Sequence, residues 1–279
     1  MVYDRHEFYE KYQKTHWYPY PNNHMFEMLF RNVIDGIVGI SEKSLDDIVQ
    51  LFPSAKVTYV PNYPDYENVC DNSITLSKIK DVSEGGVLRC VYFGTLTLAS
   101  RETDLILYLA DKLLEKYPFV EFIMGGQTDD STLLESFSSL STKYPNRFRY
   151  LGYIPYNQLI EETQKAAIGF LFLRESGTYW VSDASPNKFY EYLNCGVIPV
   201  VRTPPYSDML KPEGVICNGS DSWKDILNKV EKLIEAPRDE LIQRMEGLLK
   251  KSEQYRFSSV APNYLSLYRV LITGVELGE

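Results

Sequence analysis

The chain has 279 residues, 44 % hydrophobic and 24 % charged, the mixture of an ordinary globular protein with room for two α/β domains. Lys plus Arg number 29 against 38 Asp plus Glu, a formal net charge of -9, which argues against a broad nucleic-acid surface while allowing a local basic pocket that holds a phosphate. No apolar run approaches the length of a membrane span.

The charged start, Asp4, Arg5 and Glu7, reads as lacking a signal peptide. Cys70, Cys90, Cys195 and Cys217 have no metal-ligand spacing and read as reduced residues of a cytosolic protein, mostly small core hydrophobes. Aromatic residues crowd the first thirty positions: Tyr3, Phe8, Tyr9, Tyr12, Trp17, Tyr18, Tyr20, Phe26 and Phe30. Such a cluster suits core packing, or a surface that meets lipid or glycan.

In chain order, 24–34 has helical periodicity with Met25, Met28 and Leu29 on one side. IDGIVGIS (34–41) reads as a buried strand, and Ser41 is placed to cap a helix over 42–51. KVTYVPNYPDY (56–66) is a short strand broken by Pro61 and Pro64. Residues 68–86 read as a polar connector. A regular alternation then begins. LRCVYFG (88–94) is a strand entering a glycine, and 102–116 a helix with Leu105, Ile106, Leu109 and Leu113 on its apolar face. VEFIMGG (120–126), FRYLGYI (148–154), IGFLFL (168–173), VIPVV (197–201) and GVICNG (214–219) are further strands. Helices are expected over 131–143, 156–165, 187–195 and 222–235, then over 238–251 and 258–272. This alternation predicts a parallel sheet covered on both faces, one doubly wound domain over 86–250.

Ligands bind at the carboxyl ends of such strands. The most informative stretch is SDASPNKFYEYLNCGVIPVV (182–201). Ser185 is placed to cap the helix, and Pro186 suits its first position. Lys188 then stands in the first turn, where the helix dipole disfavours a cation unless an anion binds there. Glu191 shares a face with Lys188 and is able to accept hydrogen bonds from vicinal hydroxyls, as on ribose. A plainer reading points Lys188 into water or pairs it with Glu191. Asp183 lies in the preceding loop. Gly94 would let a ligand approach the backbone, and Arg101 would clamp a diphosphate or lie on the surface. There is no GxGxxG and no P-loop. His6 is a candidate acid, base or donor, or simply structural.

SPNKFYEYLNCGVIPVV resembles the donor-binding signature of retaining glycosyltransferases of the GT-B fold, the class that includes sucrose synthases and many bacterial polysaccharide glycosyltransferases. Asp183 falls at the family's first carboxylate, more often Glu, and Glu191 at its second. VYDRHE (2–7), VIDGIVGISE (33–42), KVTYVPNYPD (56–65), YFGTLTLASRETDLI (92–106) and LGYIPYNQL (151–159) are similar to further family segments. Family members carry roughly a hundred residues before the position of His6. The resemblance therefore implies a GT-B type α/β fold: a truncated N-terminal α/β segment with linker over 1–85, a doubly wound parallel-sheet donor domain over 86–250, and a C-terminal helix over 251–279 crossing back to the N-terminal segment.

The implied reaction is transfer of a sugar from a nucleotide diphosphate to a hydroxyl, with retention, in surface polysaccharide or glycolipid synthesis. His6, across the interdomain cleft, and Asp183 would contact the sugar. Gly94, Thr95, Arg101, Ser185, Asn187 and Lys188 would hold the diphosphate region, Glu191 the ribose, and the turn at Tyr153 the base. Thr95 stands where many members have Arg, a weaker clamp. No metal and no further cofactor are implied. Partners would be the nucleotide sugar, a glycan or lipid-linked acceptor, a separate subunit supplying the remaining N-terminal domain, and the inner membrane face by peripheral contact from the cytoplasm. Alternatives are a non-catalytic nucleotide-sugar binding module, one half of a split enzyme, or another parallel-sheet enzyme such as a GT-B epimerase.

Overall fold

The structure, a computed structural model, describes residues 1–5, 20–98, 101–173, 187–202 and 207–274. The chain divides into two compact units. Of the described residues, the first draws on 1–5, 20–65, 187 and 255–274, the second on 66–98, 101–173, 188–202 and 207–254.

In the first unit, strands β1 (Val2–Arg5), β2 (Gly36–Gly39) and β3 (Lys56–Tyr59) form a parallel sheet in the order β1-β2-β3. Helix α1 (Tyr20–Phe30) follows β1, and α2 (Glu42–Leu51) joins β2 to β3. Alternation along β2 sends consecutive side chains to opposite faces. Ile37 packs with Ile34, Ile48 and Phe52 on one face, and Val38 with Val60, Val260 and Leu267 on the other. Val260 and Leu267 belong to the C-terminal helix Phe257–Thr273. That helix is further tied to this sheet by Tyr264 to the Asp4 carboxylate at 2.9 Å and Asn263 to the Tyr59 carbonyl at 3.0 Å.

Helix α1 is joined to β1 by a buried ion pair, Arg5 Nε to Glu27 Oε1 at 2.7 Å. Its apolar residues Met25, Phe26 and Leu29 are exposed. Ser41 stands at the N-cap of α2, but its side chain makes no cap hydrogen bond, contrary to the sequence expectation.

The second unit opens with α3 (Tyr66–Val69) and α4 (Asn72–Ser83). The stretch that reads as a polar connector is thus helical. Asp71 caps α4 by accepting from the Ser73 N–H, and the buried positions are Thr75, Lys78 and Val82. Two of these are polar, so a hydrophobic periodicity is missing while the geometric one is present. The Gln164 amide bonds the Asp71 carbonyl and Thr75 Oγ1, and Lys78 Nζ donates to the Cys195 and Gly196 carbonyls at 2.6 and 3.0 Å. These bonds attach 66–83 to the second unit, so the break falls at 65/66 rather than at 85/86.

The main sheet has six parallel strands in the order β6-β5-β4-β7-β8-β9. They are β4 (Leu88–Phe93), β5 (Val120–Gly125), β6 (Phe148–Tyr150), β7 (Ile168–Phe172), β8 (Ile198–Arg202) and β9 (Val215–Cys217). Between them run α5 (Thr103–Lys116), α6 (Ser131–Lys143), α7 (Tyr156–Gln164), α8 (Asn187–Asn194) and α9 (Ser207–Leu210); α10 (Trp223–Ile234), α11 (Arg238–Ser252) and, back in the first unit, α12 (Phe257–Thr273) follow. Strand β7 is buried throughout, as a sheet with both faces covered requires. Leu105, Ile106, Leu109 and Leu113 of α5 are all fully buried. Each such side chain contributes about 1.5–3 kcal/mol relative to exposure.

Candidate functional site

The strand order reverses between β4 and β7, whose carboxyl ends define the switch point of the sheet. Helix α8 follows β7, so its first turn comes to the end of β4. Gly94 leaves β4 with φ +139°, and a Cβ there would fall 2.1 Å from Lys188 Nζ. The lysine ammonium therefore occupies the space that any side chain at 94 would need. Gly126, with φ +146°, is equally constrained, since a Cβ would lie 1.9 Å from the Gly94 carbonyl oxygen. Only glycine fits these two crowded, positive-φ turns.

Lys188 lies over the Tyr92 ring, 4.6 Å from Nζ to the centroid, and the Tyr92 hydroxyl donates to the Thr95 carbonyl at 2.8 Å. Burial and, next, the Arg101 guanidinium push the Lys188 ammonium down to about 8, against the opposing pull of Glu191. Among the described residues, no carboxylate lies at ion-pair distance from Nζ. The ion pair with Glu191 is thus not formed, and the half-buried Lys188 side chain lies over the Tyr92 ring. Lys188, with Arg101 within electrostatic reach, stands at the start of a helix, a setting that favours an anion.

Glu191 is buried one turn further along α8. Burial pushes its carboxyl above the usual range, opposed by Lys188 and by the Tyr156 hydroxyl that faces it. Burial, and then the same Glu191 neighbour, raises the Tyr156 phenol.

The Gly94–Arg101 loop is held at its far end. Glu102 takes the left-handed conformation at φ 45°, immediately before α5. Its carboxylate pairs with Arg202 at 2.6 Å, and Arg202 also donates to the Gly219 and Asp221 carbonyls. Thr103 Oγ1 closes the loop on the Thr97 carbonyl at 2.9 Å.

The structure brings together Gly94, Arg101, Lys188 and Glu191 of the sequence candidates. Thr95 is exposed beside Gly94, Asn187 is exposed at the start of α8, and Tyr153 is exposed on the loop after Gly152. His6, Asp183 and Ser185 lie outside the described residues. Sequence reasoning missed Tyr92, Tyr156 and the Glu102–Arg202 pair. Tyr92 sits in a strand whose alternation says only that it faces one side, and nothing local pairs 102 with 202.

The sequence matches no protein-family model, and no curated protein matches it. Solved structures do. Sucrose-phosphate synthase from Thermosynechococcus elongatus superposes with a TM-score of 0.67 at 12 % identity, over 98 % of this chain and 68 % of that one. A trehalose 6-phosphate synthase from Burkholderia multivorans gives 0.61 at 12 % identity, over 92 % and 63 %. The GtfA/B complex gives 0.60 at 10 % identity, over 89 % and 48 %. The chain spans about 63 % of the length of that trehalose 6-phosphate synthase. At such identities the likeness establishes the architecture, and the chain has an α/β fold of the GT-B type.

Proposed function

We propose that the second unit binds a nucleotide-diphosphate sugar, and that the chain acts as the donor-binding part of a retaining glycosyltransferase. What supports this most is Lys188, whose ammonium fills the Gly94 turn beside Arg101 without a neutralising carboxylate among the described residues. A diphosphate would relieve both the burial and the repulsion through charge-assisted hydrogen bonds. Similarity in fold to sucrose-phosphate and trehalose 6-phosphate synthases supports the same class.

In the reaction, the bond between the anomeric carbon and the diphosphate oxygen breaks, and a bond to the acceptor hydroxyl oxygen forms with retention. The acceptor proton leaves to the departing diphosphate. Lys188 and Arg101 stabilise the charge that grows on that group, so no divalent metal is needed. Glu191 accepts from the ribose hydroxyls once Tyr156 yields its place. Asp183 and His6 contact the transferring sugar, in line with the sequence resemblance. The acceptor in this reading is a glycan or lipid-linked glycan at the cytoplasmic face of a membrane. Among the described residues no helix is long and apolar enough to cross one.

A second reading, a binding module or one half of a split enzyme, draws on two observations. Thr95 occupies a position where the resemblance expects Arg, and the chain spans 48 % of the matched chain of the GtfA/B complex. Here a separate subunit supplies the remaining strands. Calorimetry with nucleoside diphosphates and with free monosaccharides tests the shared premise: the diphosphate supplies most of the affinity. Equal binding of the two, or no nucleotide binding, overturns it. Sugar transfer by the chain alone then separates enzyme from module.

A further inference from the structure

We infer that Tyr92 is the positioning residue of the proposed phosphate site: its ring holds the Lys188 ammonium in place, and its hydroxyl fixes the turn at Gly94. The inference deepens the reading of Lys188 as a phosphate ligand and rests on it.

Tyr92 is the penultimate residue of β4 and is fully buried, so its ring cannot swing aside without opening the core. Lys188 Nζ stands over that ring, 4.6 Å from the centroid, inside the range of about 6 Å over which an ammonium is attracted to the negative face of an aromatic ring. Among the described residues no oxygen accepts a hydrogen bond from Nζ. The ring face is therefore what fixes the end of this long side chain. Lys78, by contrast, is held by two carbonyls. The chemical consequence lies in what remains available. A carboxylate on Lys188 would neutralise it, and an anionic ligand would have to displace that carboxylate. A ring face attracts the charge without cancelling it and leaves N–H donors of the ammonium open to an incoming anion.

The hydroxyl acts on the glycine turn. Burial pushes the Tyr92 phenol up to about 12, with Arg101 opposing, so it stays a donor across the neutral range. It donates to the Thr95 carbonyl at 2.8 Å, while the Gly94 N–H donates to the Gly125 carbonyl at 2.9 Å. The turn is thereby tied to β4 by one bond and to β5 by the other. A Cβ at 94 would sit 2.1 Å from Nζ, so a shift of this turn moves the backbone against which the ammonium lies. One side chain thus sets both the cation and the turn beside it.

The test uses the full chain with phenylalanine, trifluorophenylalanine or leucine in place of Tyr92. Lys188 is followed without nucleotide through its side-chain NMR signal, assigned by its loss in Lys188→Arg. Tyr92→Phe keeps the ring, so Lys188 should titrate as in wild type, near 8, while loss of the hydroxyl bond lowers the melting point by about 2–4 °C. Trifluorophenylalanine keeps nearly the same outline but weakens the negative face, and Lys188 should then titrate roughly 0.3–1 pH unit lower. Tyr92→Leu removes the face altogether. The titration should move at least as far, and affinity for adenosine or uridine diphosphate should fall about 3–10-fold in calorimetry, against less than about threefold in Tyr92→Phe. A Lys188 titration that ignores fluorination, or a Tyr92→Phe protein that shifts as far as Tyr92→Leu, overturns the inference. If Tyr92→Leu does not fold, the comparison of the two aromatic rings decides alone. The titration needs no nucleotide, so the two readings fail separately. A wild type that binds neither diphosphate while Lys188 still follows the ring overturns the phosphate reading and leaves the hold of Tyr92 on Lys188 standing.

Discussion

Two lysines, Lys78 buried and Lys188 half-buried, meet the same helix at opposite ends and behave differently. Lys78 reaches the carboxyl end of α8, where two carbonyls accept from it and the helix dipole favours its charge. Lys188 stands at the amino end, where the dipole disfavours it and Arg101 repels it. Burial pushes both down to about 8. The same direction of shift therefore does not distinguish their roles; the partners do. Lys78 is satisfied by its own fold and acts as a structural bolt. Among the described residues Lys188 has no carboxylate at ion-pair distance, which is why the proposal assigns it to a ligand.

The largest expected effect falls on the structural side. Lys78→Ala strands two helix-end carbonyls in the interior, a loss of about 2–4 kcal/mol of stability. Urea denaturation at neutral pH measures it, and a loss under 1 kcal/mol would make Lys78 an ordinary side chain. Lys188→Ala should act the other way round. Its stability should stay level or rise by about 0.3–1 kcal/mol as an unfavourable dipole contact disappears. Its nucleoside diphosphate affinity should fall by about 1.5–3 kcal/mol, the range of a hydrogen bond to a charged group.

The pH dependence sharpens the contrast. Between about 8 and the ordinary lysine value, the unfolded chain holds a proton that the folded chain has released at each site. Stability from these two groups therefore rises with pH across that window, and below it their full desolvation cost remains. Ligand binding should have the opposite slope, because the proposed diphosphate would hold the Lys188 proton. Affinity should fall above pH 8 by up to about tenfold per unit, with proton uptake in calorimetry across two buffers. The slope should vanish in Lys188→Ala and persist in variants elsewhere in the unit. A flat wild-type profile from pH 7 to 9.5 would separate Lys188 from the ligand.

A smaller effect concerns the other end of the proposed ligand. Glu191→Gln should weaken a ribonucleoside diphosphate by about 1 kcal/mol and leave its 2′-deoxy counterpart almost unchanged. Equal losses for both would remove the ribose from Glu191.

The sheet was readable because its strands are apolar runs ending in glycine and its helices carry apolar stripes. Gly94, Lys188 and Glu191 stood out because a cation in a first helical turn and a glycine at a strand end each break a local rule. What was unreadable is long-range and polar. The helix at Asn72–Ser83 buries Thr75 and Lys78 through hydrogen bonds to Gln164 and to the end of α8, partners that no periodicity reveals. Tyr92 under the lysine, Tyr156 against Glu191 and Arg202 against Glu102 arise only when the sheet assembles.

The most direct measurement is the thermal melt of wild type and Lys188→Ala, with and without saturating ribonucleoside diphosphates. At a hundredfold excess over the dissociation constant, wild type should gain roughly 5–10 °C. Lys188→Ala should melt at or slightly above apo wild type and gain only about 1–5 °C from the same ligand concentration, less than half the wild-type shift. Equal ligand-induced shifts in the two proteins would contradict the assignment of Lys188 to a phosphate site.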